Sequence, residues 1–204
     1  MKKPILIPET NDMNKYLIND AIIDYTNVEI QKLASYFLSR NLNETELVKE
    51  VYEFVRDKIS HSFDIKAKIV TCSASEVLFN RHGICFAKAH LFAAILRCLQ
   101  IPTGFCYQKL ILDDETHPVI ILHGLNAVYL KKFSKWIRLD ARGNKPKVDA
   151  QFCTDTEKLA FNVRQELGET DEPTIYSCPN INVIKALKTA TTVEYLYKTL
   201  PQEL

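Results

Sequence analysis

This 204-residue chain has almost no net charge, no long apolar run and no paired cysteines. Its 26 Lys and Arg against 25 Asp and Glu give a formal charge of +1, which leaves no electrostatic footprint for nucleic acid or an anionic membrane. No stretch approaches the roughly 18 apolar residues that span a bilayer. Lys2-Lys3 is too short a basic tract, and Pro4 and Pro8 cut the apolar run that follows, so no signal peptide is expected. Six cysteines stand at 72, 85, 98, 106, 153 and 178. None falls at C-x-x-C or another paired zinc spacing, so no metal and no cofactor is expected, and a reduced, cytoplasmic thiol pool is. The acidic clusters Asp113-Asp114-Glu115 and Glu169-Thr170-Asp171-Glu172 lack the alternating oxygen ligands and central glycine of a calcium loop and read as solvated loops. Repeats, low-complexity tracts and linkers are also missing. One domain over 1–204 is expected, with a core at about 45–150 and a C-terminal helical extension at about 151–204.

What the sequence does contain is a helical first half. After an extended arm over residues 1–10, Tyr16, Leu17, Ala21 and Ile22 fit one helical stripe. Asn27 is a plausible N-cap for a helix to Leu38, on which Ile30, Leu33, Ala34 and Phe37 recur three and four apart. Asn43 and Glu46 resemble a capping pair for the next helix, whose face of Leu47, Val48, Val51, Phe54 and Val55 runs to about Ile59. Ser73 and Glu76 repeat the capping pattern ahead of a short helix. From Ile84 to Leu99 the residues are apolar almost all round, which predicts a buried central helix. Lys88 and His90 are the exceptions. Pro102 ends it.

The period then changes to two. Residues 104–112, 119–130 and 135–139 are rich in β-branched, aromatic and aliphatic side chains with short links, which predicts an antiparallel meander. Residues 156–167, 183–187 and 193–200 read as helices. The fold class is α+β: a helical N-terminal wall and a central helix packed on a small antiparallel sheet.

Three polar residues stand out. Cys85 falls in the first turn of the central helix, where free N–H groups and the macrodipole favour a thiolate. Gly83 lets the chain turn sharply just before it. His123 sits in an apolar file with Ile121, Leu125, Ala127 and Tyr129 on the middle strand. Asp140 follows the third strand. Each has a bland reading: a buried apolar thiol, a satisfied core histidine, a turn-capping aspartate. Together they follow the order nucleophile, base, orienter. An imidazole takes the thiol proton and its cation stabilises the thiolate, while a carboxylate on the second ring nitrogen fixes the tautomer.

The sequence resembles the transglutaminase-like superfamily, which has a papain-like α+β fold. Val51-Tyr52-Glu53-Phe54-Val55-Arg56-Asp57-Lys58-Ile59 is similar to the helix ahead of the site. Ser73-Ala74-Ser75-Glu76-Val77-Leu78 followed by Gly83-Ile84-Cys85 is similar to the approach to the nucleophile. Ala89, Leu91, Ala94, Leu96, Arg97 and Ile101-Pro102 match the continuation, with Gln100 where glycine is usual. His123 and Trp136-Ile137-Arg138-Leu139-Asp140 match the remaining segments. The resemblance implies Cys85 as nucleophile, His123 as general base and acid, and Asp140 as orienter. It implies attack on a peptide or side-chain amide of a protein or peptide partner, with no nucleic acid or membrane involved. Beyond the Cys85 N–H, a second oxyanion donor is needed. No tryptophan precedes Cys85, which leaves Tyr52 and His61 as candidates. For Arg142 the alternatives are a pair with Asp140, a place at the cleft rim, or a solvated loop position. His123-Gly124-Leu125 departs from the usual His-x-Trp, which bears on substrate preference. The alternative is a catalytically silent binding or scaffolding module on the same fold.

Overall fold

The computed structural model describes residues 4–112 and 118–204. The readings placed on Lys2-Lys3 and on Asp113-Asp114-Glu115 fall outside the described residues. Strand β1 (Ile7–Pro8) leads through a 3-10 turn (Met13–Leu17) to helices α1 (Val28–Leu38) and α2 (Glu44–Lys58). Strand β2 (Ser60–His61), helix α3 (Ala74–Asn80), strand β3 (His82–Gly83) and helix α4 (Cys85–Cys98) follow. Then come strands β4 (Thr103–Leu112), β5 (Val119–Leu130) and β6 (Lys135–Leu139), short strands β7 (Thr170–Asp171) and β8 (Thr174–Ile175), and helices α5 (Ile181–Thr189) and α6 (Val193–Lys198).

The caps form where the sequence places them. Asn43 and Ser73 each accept the N–H three residues on, and Glu46 and Glu76 reach back to the cap N–H groups. Helix α4 is buried from Phe86 to Arg97 and lies at the centre of the main core, against α1, α2, α3 and the sheet. It presents apolar residues in every direction because every direction is occupied. The charge of buried Arg97 is met by main-chain carbonyls of Ile18, Thr103 and Ser177. Val183, Leu187 and Leu196 of the C-terminal helices complete the same core.

The sheet has the order β6-β5-β4-β7, with β4, β5 and β6 the expected antiparallel meander. Its register pairs Asn126 with Leu139 and Gln108 with His123. Short parallel pairs join β1 to β8 and β2 to β3. Among the described residues no helix is long and apolar enough to cross a membrane.

Four expectations are corrected. The stripe from Tyr16 to Ile22 is helical only as far as the 3-10 turn Met13–Leu17; beyond it Asp20 takes the N–H groups of Ile22 and Ile23 with its carboxylate. Residues 156–167 are not helical: Gln151 bridges Lys158, and only Gln165–Leu167 makes a 3-10 turn. The second acidic cluster is not a solvated loop. Glu169 is buried against Arg164 and the Ile111 N–H, and Asp171 on β7 pairs with Arg138. Gly83 serves close packing rather than a turn, since a Cβ there would lie 3.0 Å from that of Ala87; the left-handed residue is Arg81, at φ 60°.

Candidate active site

Cys85 is the first residue of α4. Ile84, the cap residue, is extended and offers no side-chain acceptor, and the first helical N–H to find a carbonyl is that of Lys88. The first-turn amides therefore remain available beside the sulfur. The parallel pairing of β2 with β3 places His61 level with Gly83, two residues before Cys85.

His123 projects from β5. Its Nε2 lies 2.8 Å from Oδ2 of Asp140, and Cys85 is near enough to the ring to interact with it electrostatically. With Nε2 engaged by the carboxylate, Nδ1 is the nitrogen left for the thiol. Register explains the meeting. Leu139 pairs with Asn126, so Asp140 leaves β6 level with Leu125, which shares its face with His123. Gly124, on the opposite face, lets α4 come close. A Cβ at this position would stand 2.5 Å from Cδ1 of Phe86, the residue after Cys85.

The electrostatics run in one direction. Burial disfavours a charged His123 ring, but Asp140 and Cys85 outweigh it and raise the pKa to about 10. Burial opposes ionisation of Asp140 too, yet His123 and the N–H groups of Arg142 and Ala160 hold its carboxyl below the usual range. The Phe161 ring meets the imidazole edge-on at 5.1 Å and shields it from one side.

A cleft of about 840 Å³ opens on this group, lined by Cys85, His123, His61 and Arg142. Phe63, Leu110, Leu112, Ile121 and Leu200 make much of the wall apolar, and Lys145, Lys147 and Arg164 also reach the lining. His61 is buried, with Nδ1 lacking a hydrogen-bond partner among the described residues. Burial and the nearby cations Arg142 and Lys88 push its pKa well below 6.5, so the ring is neutral. Tyr52 lies elsewhere. Its hydroxyl donates to the main-chain oxygen of Asp140 at 3.1 Å, and Tyr52 does not line the cleft. Arg142 is not a solvated loop residue. Its guanidinium makes a two-pronged pair with Asp64, at 2.6 and 2.9 Å.

Sequence reasoning missed Asp64, Phe161 and the N–H of Ala160, which carry no motif. Lys88 had left a signal, a lone cation in the first turn of a helix apolar all round.

The transglutaminase-like superfamily model matches residues 31–141, more than half of the chain and all three residues of the Cys-His-Asp group. The chain belongs to the transglutaminase-like superfamily. A solved structure from Cytophaga hutchinsonii, provisionally described as a cysteine protease, superposes with a TM-score of 0.52 at 21% identity. The match covers 65% of this chain and 43% of that one, and it shows the shared fold. The periplasmic domain of TgpA from Pseudomonas aeruginosa is similar at a TM-score of 0.48 and 15% identity, over 63% of this chain and 46% of that one. This superfamily member thus spans less than half the length of these structures. No curated protein matches it.

Proposed function

We propose that this chain is a thiol-dependent hydrolase or acyltransferase acting on peptide or side-chain amides through a Cys85 thioester. One observation carries the reading: the His123 imidazole is hydrogen-bonded to the Asp140 carboxylate and shares a largely apolar cleft with Cys85, near enough to interact with it electrostatically. The raised pKa of His123 favours an imidazolium, the partner that a thiolate needs. In this mechanism the Cys85 thiolate attacks the amide carbonyl and its electron pair moves onto oxygen. As the tetrahedral centre collapses, the C–N bond breaks and His123 gives its proton to the leaving amine. Water or a second amine then attacks the thioester, His123 accepts its proton, and the thiolate leaves. The Cys85 N–H is one donor to the oxyanion. His61 is the second, since a neutral ring donates an N–H without competing for the proton that His123 must carry.

Iodoacetamide alkylation at pH 6 tests the reading, with each cysteine followed by peptide mass spectrometry and exposed Cys178 as the reference thiol. Cys85 is expected to react at least ~10-fold faster than Cys178, and His123→Ala to remove that advantage. Equal rates in the wild type would overturn the proposal. With an amide substrate, His61→Phe is expected to lower kcat and leave KM nearly unchanged, as loss of a donor used only in the transition state does. An effect confined to KM would remove His61 from the oxyanion site.

A further inference from the structure

One turn after Cys85, α4 carries a charge that the proposed chemistry does not use. The Lys88 side chain is fully buried, and its nitrogen bonds main-chain oxygens with no ion pair among the described residues; burial lowers its pKa to about 7, which leaves it an ammonium at pH 6. It donates to three main-chain oxygens: Ile59 at 2.5 Å, Arg142 at 2.9 Å and Arg56 at 3.2 Å. A buried ammonium costs several kcal/mol in desolvation, and three neutral carbonyls recover only part of that. The contacts join the elements that hold the site. Arg56 and Ile59 end α2 and lead into His61, and Arg142 is two residues past Asp140. The fit on the far side is close: Gly143 has φ +106°, and a Cβ there would lie 3.3 Å from the Lys88 nitrogen and 3.2 Å from the Arg56 oxygen.

We infer that Lys88 is a positioning residue, an ammonium clamp that holds the Asp140–Arg142 loop against the nucleophile helix and so keeps the carboxylate on His123. The inference rests on the proposed role of Cys85 and His123. Its path is short. The Arg142 oxygen accepts a hydrogen bond from Lys88, and the Arg142 N–H, on the same residue, bonds Oδ1 of Asp140, whose other oxygen holds His123. Loss of the clamp frees the loop on that side, the imidazolium loses part of its counter-charge, and the thiolate loses its partner. The groups that face the imidazole electrostatically are Asp140 and Cys85, with His61 beside it, so the acid limb of thiol reactivity reports on this one arrangement.

The same helix supplies a control. Arg97 is equally buried and also bonds only main-chain oxygens, but those of Ile18, Thr103 and Ser177, none of which touches the site. In Lys88→Met the acid limb of Cys85 alkylation is expected to move up by about one pH unit, a ~10-fold slower reaction at pH 6, while Cys178 is unchanged. Arg97→Met should melt at a lower temperature yet keep Cys85 within ~2-fold of the wild type, because destabilisation alone does not move the limb. Gly143→Ala, which crowds the clamp while keeping the Lys88 side chain, should shift the limb in the same direction and serves if Lys88→Met does not fold. An unshifted limb in a folded Lys88→Met or Gly143→Ala protein would overturn the clamp while leaving the Cys85 reading intact. A shift of equal size in Arg97→Met would also overturn it. A wild type whose Cys85 reacts no faster than Cys178 would defeat both.

Discussion

At the scale of single residues, the site depends on one absent side chain as much as on the three proposed to carry its chemistry. Gly124 is where Phe86, and with it the first turn of α4, comes down on β5. Gly124→Ala must displace that turn or the strand beside His123. It is expected to cost about 1–3 kcal/mol in urea denaturation, the usual penalty for overpacking, and to slow alkylation of Cys85 at pH 6. Adding Phe86→Leu should recover part of both. If the alanine variant keeps wild-type stability and reactivity, close approach at Gly124 is not what brings thiol and imidazole together. The residue types of the proposed triad were legible in the sequence, because Cys85 opens an apolar helix and Asp140 ends a strand. Their meeting was not, because it turns on register. A slip of one residue between β5 and β6 would put His123 and Asp140 on opposite faces.

At the scale of elements, what could be read was local and what could not was tertiary. Caps, helix starts and strand period are set by neighbours three or four residues away, so α1 to α4 and the meander were legible. Ser73 illustrates this class: its hydroxyl accepts the Glu76 N–H, and the Glu76 carboxylate takes the N–H groups of Ser73 and Cys72. Ser73→Ala is expected to lower stability by about 1 kcal/mol in thermal or urea unfolding, while Cys85 alkylation is unaffected. A loss below a few tenths would show that tertiary packing, not the cap, holds α3. Residues 156–167 belong to the other class. Their apolar spacing suits a helix, but the Ala160 N–H is drawn to Asp140, Phe161 turns its ring onto His123, and Arg164 pairs with Glu169. The site claims this segment, and nothing in its own sequence says so. Glu169 to Glu172 looked solvated for the same reason, since their partners Arg164 and Arg138 are known only from the fold.

At the scale of the whole molecule, the buried histidines give stability a predictable pH dependence. His90 is fully enclosed, its Nδ1 2.7 Å from the Cys72 oxygen, and burial pushes its pKa down to about 4. Burial lowers His61 and His82 as well. An unfolded chain takes up protons on these rings below about pH 6.5, whereas the folded rings resist until lower pH, so stability falls as pH drops from about 6.5 towards 4. The His123–Asp140 pair acts at other limits. The contribution from His123, raised to about 10, is full below about 6.5 and is lost as pH rises through 10. That from Asp140, lowered, is present above about 3.9 and is lost only in stronger acid. The acid side is therefore steeper than carboxylates alone would give. Urea denaturation at half-unit steps from pH 7.5 to 4.5 should show a slope of about 1.4 kcal/mol per pH unit for each histidine fully engaged. His90→Asn, which keeps an N–H donor, is expected to be less stable at pH 7 but to lose up to one proton's worth of that slope. A slope unchanged by the substitution would mean that His90 is already protonated in the folded state, and the acid sensitivity would then have to come from His61 and His82 beside the site.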